Sequence, residues 1–402
     1  MVRRVTAAFS SRDFRVLWLG AFGSTIGTWM QKVAQSWLVF TLTGSTFFLG
    51  LDDFLGQAPI LLFTLIGGVI ADRHDRRRLL IGSQYVQMTS AFVLAALVYW
   101  DVVRVWHILT LSFVTGLGQA FGGPAYQSLI PSLVRKEHLP NAIALNSIQF
   151  HLARVIGPML AGGALAAWGT AACFGLNGLS FVIVIVALAS LSVKHVPPAT
   201  RQGMKEELRA GLSYARRQPT LLALAALAFL TAFLGLPLLT FLPVVAKEVF
   251  QRDVGGYSEM LAWSGAGAVS GALVVAWLGK FRHMGRTLLV VQIALGLLVG
   301  AFALTRLFWM SELLLFLGSA ALIVTFSLTS SLVQLNVADH LRGRMMGIYM
   351  VAFRGGMPLG SLAAGYAATL VPTPWVLATN GGLIVIVAAY FLASRSHGVS
   401  DL

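Results

Sequence analysis

Residues 145–163 read LNSIQFHLARVIGPMLAGG, and residues 347–365 read GIYMVAFRGGMPLGSLAAG. When the second segment is shifted back by about 200 residues, its arginine, Arg354, falls on Arg154 of the first. In a chain of 402 residues this shift is half the length, so the sequence contains two related halves. Paired six-helix halves related by an axis along the membrane normal are typical of secondary transporters, and the repeat therefore predicts transport.

The composition places the chain in a membrane. Hydrophobic residues make up 57% of it, charged residues make up 11%, and the mean hydropathy is +0.79. Soluble domains carry about 25% charged residues. The net charge of +14 comes from short clusters between apolar runs and not from one basic face, so we expect no nucleic-acid partner.

The apolar windows predict an all-α polytopic membrane protein with twelve transmembrane helices in two pseudo-symmetric six-helix bundles, since each crossing needs about 20 apolar residues. Two long windows are divided at residues 167–170 and 372–374, where Gly or Pro clusters indicate turns. The predicted spans are 14–41, 48–71, 79–99, 106–130, 142–166, 170–192, 219–246, 257–279, 286–305, 311–336, 345–370 and 375–394.

The basic residues predict the orientation and the domain boundaries. Of 29 Lys and Arg, 22 fall on the side that holds both termini and 4 on the other, so both termini are expected in the cytoplasm of a bacterial inner membrane. The polar linker 194–218 separates an N-terminal bundle, 1–193, from a C-terminal bundle, 219–402. This basic, amphipathic linker is expected to lie along membrane lipids.

Polar side chains inside the first span predict a substrate cavity. Thr28, Gln31 and Gln35 recur on one helical face beside Lys32. The full predicted cavity set is Thr28, Gln31, Lys32, Gln35, Gln119 and Gln149. A polar seam that joins helices is the alternative, although glutamines and a lysine are bulky for a seam.

Two further pairs of residues are candidates for function. Asp52 and Asp53 open the second span and are candidates for proton coupling, the alternative being solvation at the interface. Arg154 either binds an anionic group or pairs with an acid across the two halves. Because both halves keep the arginine, we place an interhalf role first for Arg154 and Arg354, and extend it to Gly157 and Pro158.

The loop GGVIADRHDRRRLL (67–80) joins spans 2 and 3 and mixes both signs of charge. Positive charge at the cytoplasmic face does not explain Asp72, which is placed to accept bonds from a helix N-terminus and to pair with Arg76. The loop is then either a conformational latch between the halves or a segment in which Asp72 only neutralises excess positive charge.

This loop resembles the G-x-x-x-D-R-x-x-R-R loop of the major facilitator superfamily. The segments GTWMQKVAQSWLVFTLTGS (27–45), PSLVRKEHLPNAIALNSIQFHLARVIGP (131–158) and LRGRMMGIYMVAFRGGMPLGS (341–361) resemble its branch of macrolide and enterobactin exporters. The resemblance implies alternating access, efflux driven by protons, and a latch role for Gly68, Asp72, Arg73 and Arg76. The sequence departs from the superfamily pattern at Asp75, where glycine is usual, and in span 4, which lacks the membrane arginine of many proton-coupled relatives.

The combined prediction is a secondary exporter of amphiphilic small molecules, such as a drug, a siderophore or a lipid-like metabolite, working by proton antiport. A scaffold or sensor without transport and an importer of a small nutrient are the alternatives. The sequence has no P-loop and a single cysteine, Cys173, so we expect no enzyme activity, no cofactor and no metal site. The expected partners are substrate, protons and lipids, and the expected state is a monomer.

Overall fold

A computed structural model describes residues 7–192, 218–279, 281–337, 342–394, 398–399 and 402; the side chains at 65, 69, 72, 73 and 342–344 are outside it. These residues form helices joined by short turns, and the described ranges contain no strand. The helices are α1 Arg12–Thr43, α2 Thr46–Arg73, α3 Arg76–Tyr99, α4 Val105–Leu133, α5 139–168, α6 170–189, α7 Pro219–Gly235 with shorter turns to Val249, α8 Val254–Leu278, α9 Met284–Leu304, α10 Phe308–Leu335, α11 Arg342–Leu370 and α12 Thr373–Ala393.

Local sequence sets the helix ends, and the predicted fold class of twelve spans is confirmed. Apart from α7, whose continuous helix ends at Gly235, each end lies within three residues of its predicted position. Boundaries assigned by different criteria already differ by one or two residues. Between α5 and α6, Gly169 has φ 77° and ψ −179°, a conformation that favours glycine. Gly44 ends α1 in the left-handed region at φ 59°, and its N–H donates to the carbonyl of Phe40.

The seventh span is interrupted by its prolines. α7 runs from Pro219 to Gly235 and continues as short turns that start at or beside Pro237 and Pro243. Proline lacks an N–H and its ring clashes with the preceding turn, so a bent or broken helix is expected at each site. The last turn, Val245–Val249, is a π-helix.

The protein is a multi-pass membrane protein. Eight described segments are long and apolar enough to cross a bilayer, and one of them contains both α5 and α6. Large apolar side chains such as Leu62 and Leu273 are about two-thirds exposed on helix surfaces, as expected where lipid is the solvent. Most exposed tryptophans lie at or near helix ends, as in the aromatic belts of membrane interfaces. They include Trp100, Trp106, Trp168, Trp309 and Trp375.

The chain divides into two compact units. One comprises Met1–Gly44, Leu55–Ala199 and Val254–Ala262; the other comprises Ser45–Phe54, Thr200–Asp253 and Trp263–Leu402. Each unit has its own apolar core, built around Phe14, Phe181 and Leu188 in the first and around Leu224, Leu288 and Leu332 in the second. The start of α2 thus belongs to the second unit. Most of the linker 194–218 lies outside the described residues, so the boundaries 1–193 and 219–402 stay a prediction.

Candidate functional site

The polar stripe of α1 is hydrogen-bonded to two other helices of the first unit. The Gln31 side-chain oxygen accepts from Asn177 Nδ2 of α6 at 2.7 Å, and Gln35 Nε2 donates to Ser112 Oγ of α4 at 2.9 Å. Thr28 donates to the carbonyl of Ser24 at 2.9 Å. Lys32 is exposed. The glutamines therefore join helices, as the polar-seam alternative describes, and each keeps part of its surface accessible.

The remaining members of the predicted cavity set lie on α4 and α5. Gln149 is buried, and its Nε2 donates to Thr25 Oγ1 of α1 at 2.9 Å. Gln119 is half-buried on α4. All six predicted residues thus lie in the first unit, four of them on α1, while their role in lining a cavity stays a prediction.

Arg154 lies over the ring of Trp29, with its guanidinium carbon 5.5 Å from the ring centroid. Among the described residues it has no carboxylate partner. A charged side chain at membrane depth costs about 3 kcal/mol on insertion scales, whereas a cation–π contact returns about 1–2 kcal/mol. The ring alone therefore does not offset the cost of placing this cation in a membrane helix.

The neighbours of Arg154 are fixed by a close crossing of α1 and α5. A Cβ added at Gly157 would lie 2.5 Å from the Trp29 Cβ and 2.9 Å from the carbonyl oxygen of Ile26. Only a small residue permits this approach, which sets the Trp29 ring beside α5. Phe150 meets the same ring edge to face at 6.2 Å. The interhalf role of Arg154, Gly157 and Pro158 stays a prediction, since this crossing lies inside the first unit.

Arg354, the counterpart in the second unit, has a different environment. Arg354 is exposed. On the same helix, Gly356 and Gly360 face the backbone of Phe229 and Phe233 in α7. A Cβ at Gly356 would lie 2.5 Å from the Phe229 carbonyl oxygen. The repeat therefore preserves a tight crossing but not the surroundings of the arginine.

Asp52 and Asp53 are both buried, at 8% and 9% exposure. Ser361 Oγ of α11 donates to Asp53 Oδ2 at 2.8 Å and lies 3.1 Å from Thr240 Oγ1 of α7. Earlier on α2, Thr46 Oγ1 donates to the carbonyl of Gly365 at 3.2 Å. The interface alternative for these acids assumed a solvated carboxylate, whereas Asp53 lies in a buried polar cluster.

The charged loop between α2 and α3 is anchored to other parts of the first unit. Arg76 Nη1 donates to the carbonyl of Ser128 in α4 at 3.1 Å. Asp75 caps α3 by accepting hydrogen bonds from the N–H groups of Arg77 and Arg78. This cap gives a local reason for an aspartate at a position where the superfamily usually has glycine. The Arg77 guanidinium donates to the carbonyls of Leu191, at 3.0 Å, and Ala189.

Part of the predicted latch lies outside the described residues. The side chains of Asp72 and Arg73 are among those not described, and Gly68 is half-buried with open space where a Cβ would stand. The latch therefore stays a prediction that rests on the sequence and on the position of Arg76.

Sequence reasoning missed Ser361, Thr240, Asn177 and Arg77. Asn177 is the one whose signal was readable, because a carboxamide in the apolar run 170–189 needs a partner. Serine and threonine in membrane helices bond their own backbone so often that Ser361 and Thr240 gave no comparable signal. Among the described residues, no group of three or more His, Cys, Asp or Glu side chains is placed to hold a metal ion.

Known proteins are similar in sequence to this chain over almost its whole length. A family model described as transmembrane secretion effector matches residues 4–400. The macrolide efflux protein A of Streptococcus pyogenes is 23% identical over 384 residues, covering 93% of this chain and 94% of its own length. The enterobactin exporter EntS of Salmonella typhi is 26% identical over 377 residues, covering 93% of this chain and 90% of its own.

Solved transporters share the fold. A bacterial homologue of the human lysosomal transporter Spinster, inward-facing and unoccupied, superposes with a TM-score of 0.72 at 15% identity and covers 97% of this chain and 98% of its own. The nucleoside transporter NupG gives 0.75 at 14% identity, covering 95% and 98%. At these identities the likeness concerns the fold alone.

Proposed function

The chain belongs to the transmembrane secretion effector family of the major facilitator superfamily, and on this basis we propose that it exports amphiphilic small molecules by proton antiport. Its family and its relatives are transporters, and this chain is likewise a transporter and not an enzyme. Export is supported by two relatives, a macrolide efflux protein and an enterobactin exporter, that match it over 93% of its length.

The single observation that carries the coupling proposal is the buried carboxyl of Asp53. A carboxylate taken out of water is costly, and protonation removes most of that cost. Ser361 Oγ at 2.8 Å stabilises the charged form by donating a hydrogen bond. We therefore propose this buried carboxyl, on a helix that contacts α11, as the group that couples transport to protons. Asp52, buried at the preceding position, is the second candidate.

The substrate is proposed to pass the polar face of α1. Thr28, Gln31, Lys32 and Gln35 offer both donors and acceptors there, and Gln119 and Gln149 extend this set to α4 and α5. A cavity with few polar groups among apolar walls suits an amphiphilic molecule better than a small hydrophilic nutrient.

The remaining proposals concern the setting. The excess of Lys and Arg on the side of both termini supports cytoplasmic termini in a bacterial inner membrane. We propose a monomer, with Gly68, Asp72, Arg73 and Arg76 as a latch in alternating access. The latch role rests on the sequence, since the Arg76 bond to Ser128 ties the start of α3 to α4 within the first unit.

Proteoliposomes test the coupling. The purified full-length protein is reconstituted, a pH gradient is imposed, and accumulation of rhodamine 6G and of sulforhodamine B is followed, since the fluorescence of both dyes is insensitive to pH. We expect Asp53→Asn to lower the gradient-driven transport rate by at least about tenfold, because the amide cannot exchange a proton. The matched control is Asp101→Asn, an exposed acid just after α3, which should leave the rate unchanged.

Two results would contradict the proposal. Equal wild-type transport with the gradient collapsed would exclude proton antiport. Gradient-driven transport that survives in Asp53→Asn would remove this carboxyl from the coupling path.

A further inference from the structure

We propose that Arg154, together with His151 and Trp29, forms a subsite for an anionic group of the substrate, so that the preferred cargo is an amphiphile with an acidic group beside an aromatic or apolar body. The inference rests on the proposed export function and narrows its substrate class.

The first observation is an incompletely compensated cation. Arg154 is half-buried in a membrane helix, and in the described part of the chain its guanidinium contacts the Trp29 ring without a carboxylate partner. The ring contact returns less than the charge costs at this depth. A guanidinium also has five N–H donors in a planar fork, which a ring face leaves mostly unused and which an oxyanion accepts in pairs.

A second, independent observation is a buried ring nitrogen one helical turn away. His151 Nδ1 is inaccessible to solvent and has no hydrogen-bond partner among the described residues. Buried polar atoms in proteins are almost always paired, so this nitrogen needs a partner that the described residues do not supply. Residues three apart share one face of a helix, so His151 and Arg154 can reach the same ligand.

The surface of α5 includes an apolar stripe and a stripe that carries polar groups. One stripe carries Ile148, Leu152 and Met159, all apolar, as expected of a face towards lipid. The other carries Phe150, His151 and Arg154 and adjoins Trp29 of α1. Because a guanidinium is not stable against hydrocarbon, we infer that this second stripe faces water or substrate.

The shape of the second stripe suggests the rest of the ligand. The Trp29 and Phe150 rings meet edge to face at 6.2 Å beside the guanidinium, so an apolar surface adjoins a cationic group. The Gly157 crossing holds Trp29 in place. A carboxylate, sulfonate or phosphate attached to an aromatic or apolar body would meet both parts at once.

Equilibrium binding tests the subsite on full-length protein. Fluorescence polarisation compares two xanthene dyes of similar size, the anionic sulforhodamine B and the cationic rhodamine 6G. We expect Arg154→Gln to weaken sulforhodamine B about tenfold and to leave rhodamine 6G within about twofold, since a charge-assisted hydrogen bond is lost for the anion alone. His151→Gln should weaken the anion by a smaller factor, about threefold.

The repeat supplies the matched control. Arg354→Gln removes the same charge from the same position of the other unit, where the arginine is exposed, and should change neither affinity. Arg154→Lys keeps the charge but loses the planar fork, and should fall between wild type and Arg154→Gln. If Arg154→Gln fails to fold by size-exclusion chromatography, the lysine and His151 variants decide the question.

The outcomes separate this subsite from export. Equal weakening of both dyes, or an equal effect of Arg354→Gln, would show a structural or nonspecific role of Arg154. An unchanged sulforhodamine B affinity would overturn the subsite, while gradient-driven transport of either dye would leave the export function standing. Loss of gradient dependence in the wild type, with a selective effect of Arg154→Gln on binding, would overturn antiport alone.

Discussion

Helices α5 and α11 carry the same Arg and Pro at a shift of 200 residues, yet their surroundings differ. In α5, Arg154 lies half-buried over Trp29. In α11, Arg354 is exposed, and Ser361, about two helical turns further along, donates a hydrogen bond to the buried Asp53. The duplicated segment has kept its backbone crossing and changed its polar chemistry. The helix of one copy therefore presents a cation, whereas the helix of the other donates a hydrogen bond to an acid.

The beginnings of α2 and α8, which occupy equivalent places in the two halves, also differ in their polar contacts. In the second unit, α2 meets α11 through Thr46 and Asp53, which both form hydrogen bonds to it. In the first unit, α8 meets α5 where Ser258 approaches Gly162. The Ser258 Cβ lies 3.1 Å from the position that a Cβ added at Gly162 would take. The Ser258 hydroxyl is buried without a partner among the described residues. One crossing is polar and satisfied, while the other is held by packing.

The largest expected effect concerns the backbone approach in α11. A Cβ at Gly360 would overlap backbone atoms of Phe233, which cannot turn aside as a side chain can. We expect Gly360→Ala to lower the free energy of unfolding in detergent by about 2–3 kcal/mol. The control is Gly163→Ala in α5, where no atom lies within 4 Å and no loss is expected. Equal melting temperatures for the two variants would show that α7 and α11 are not in such close contact.

A smaller effect separates the two crossings. Ser361→Ala removes a hydrogen bond to a carboxylate and a contact to Thr240, and should cost about 1.5 kcal/mol. Ser258→Ala removes a buried hydroxyl that has no partner in the described part of the chain, so stability should be unchanged or slightly higher. Thermal unfolding of both variants measures the difference. A costly Ser258→Ala would reveal a polar partner and make the crossings alike.

The smallest expected effect compares aligned positions 149 and 349. Tyr349 OH donates to the Phe326 carbonyl at 3.1 Å, and Gln149 donates to Thr25. Tyr349→Phe should cost about 0.6 kcal/mol, the average for such bonds in membranes. Gln149→Leu should cost less, because Thr25 Oγ1 still donates to the Ala21 carbonyl at 2.7 Å. Denaturant titration of both variants checks the order, and a reversal would mean that Gln149 has a further structural role.

The helices and the turns that separate them were predictable from sequence because their causes are local. The α5–α6 turn at Gly169 and the start of α12 at Thr373 follow from glycine and proline chemistry within a few residues. The capping of α3 by Asp75 is also local, but only the structure identified it. By contrast, Arg77 was readable as a positive charge, and its donation to the carbonyl of Leu191 depends on where α6 ends in space.

The candidate site was predicted in part, for a related reason. Polarity inside apolar spans identified Gln31, Arg154 and Asp53 as residues that need partners. It did not identify the partners, since Asn177 is 146 residues from Gln31 and Ser361 is 308 residues from Asp53. Nor did it distinguish Arg154 from Arg354, whose sequence contexts are similar and whose neighbours come from other helices.

The sequence by itself determined that the chain crosses a membrane twelve times in two related halves, because an apolar run of about 20 residues satisfies its own backbone as a helix. The tertiary structure decided which polar groups meet: Arg154 with Trp29, and Asp53 with Ser361. The physical reason is range. Backbone hydrogen bonds in a helix close over about four residues, whereas a side chain buried in a membrane finds its partner on whichever helix packs against it.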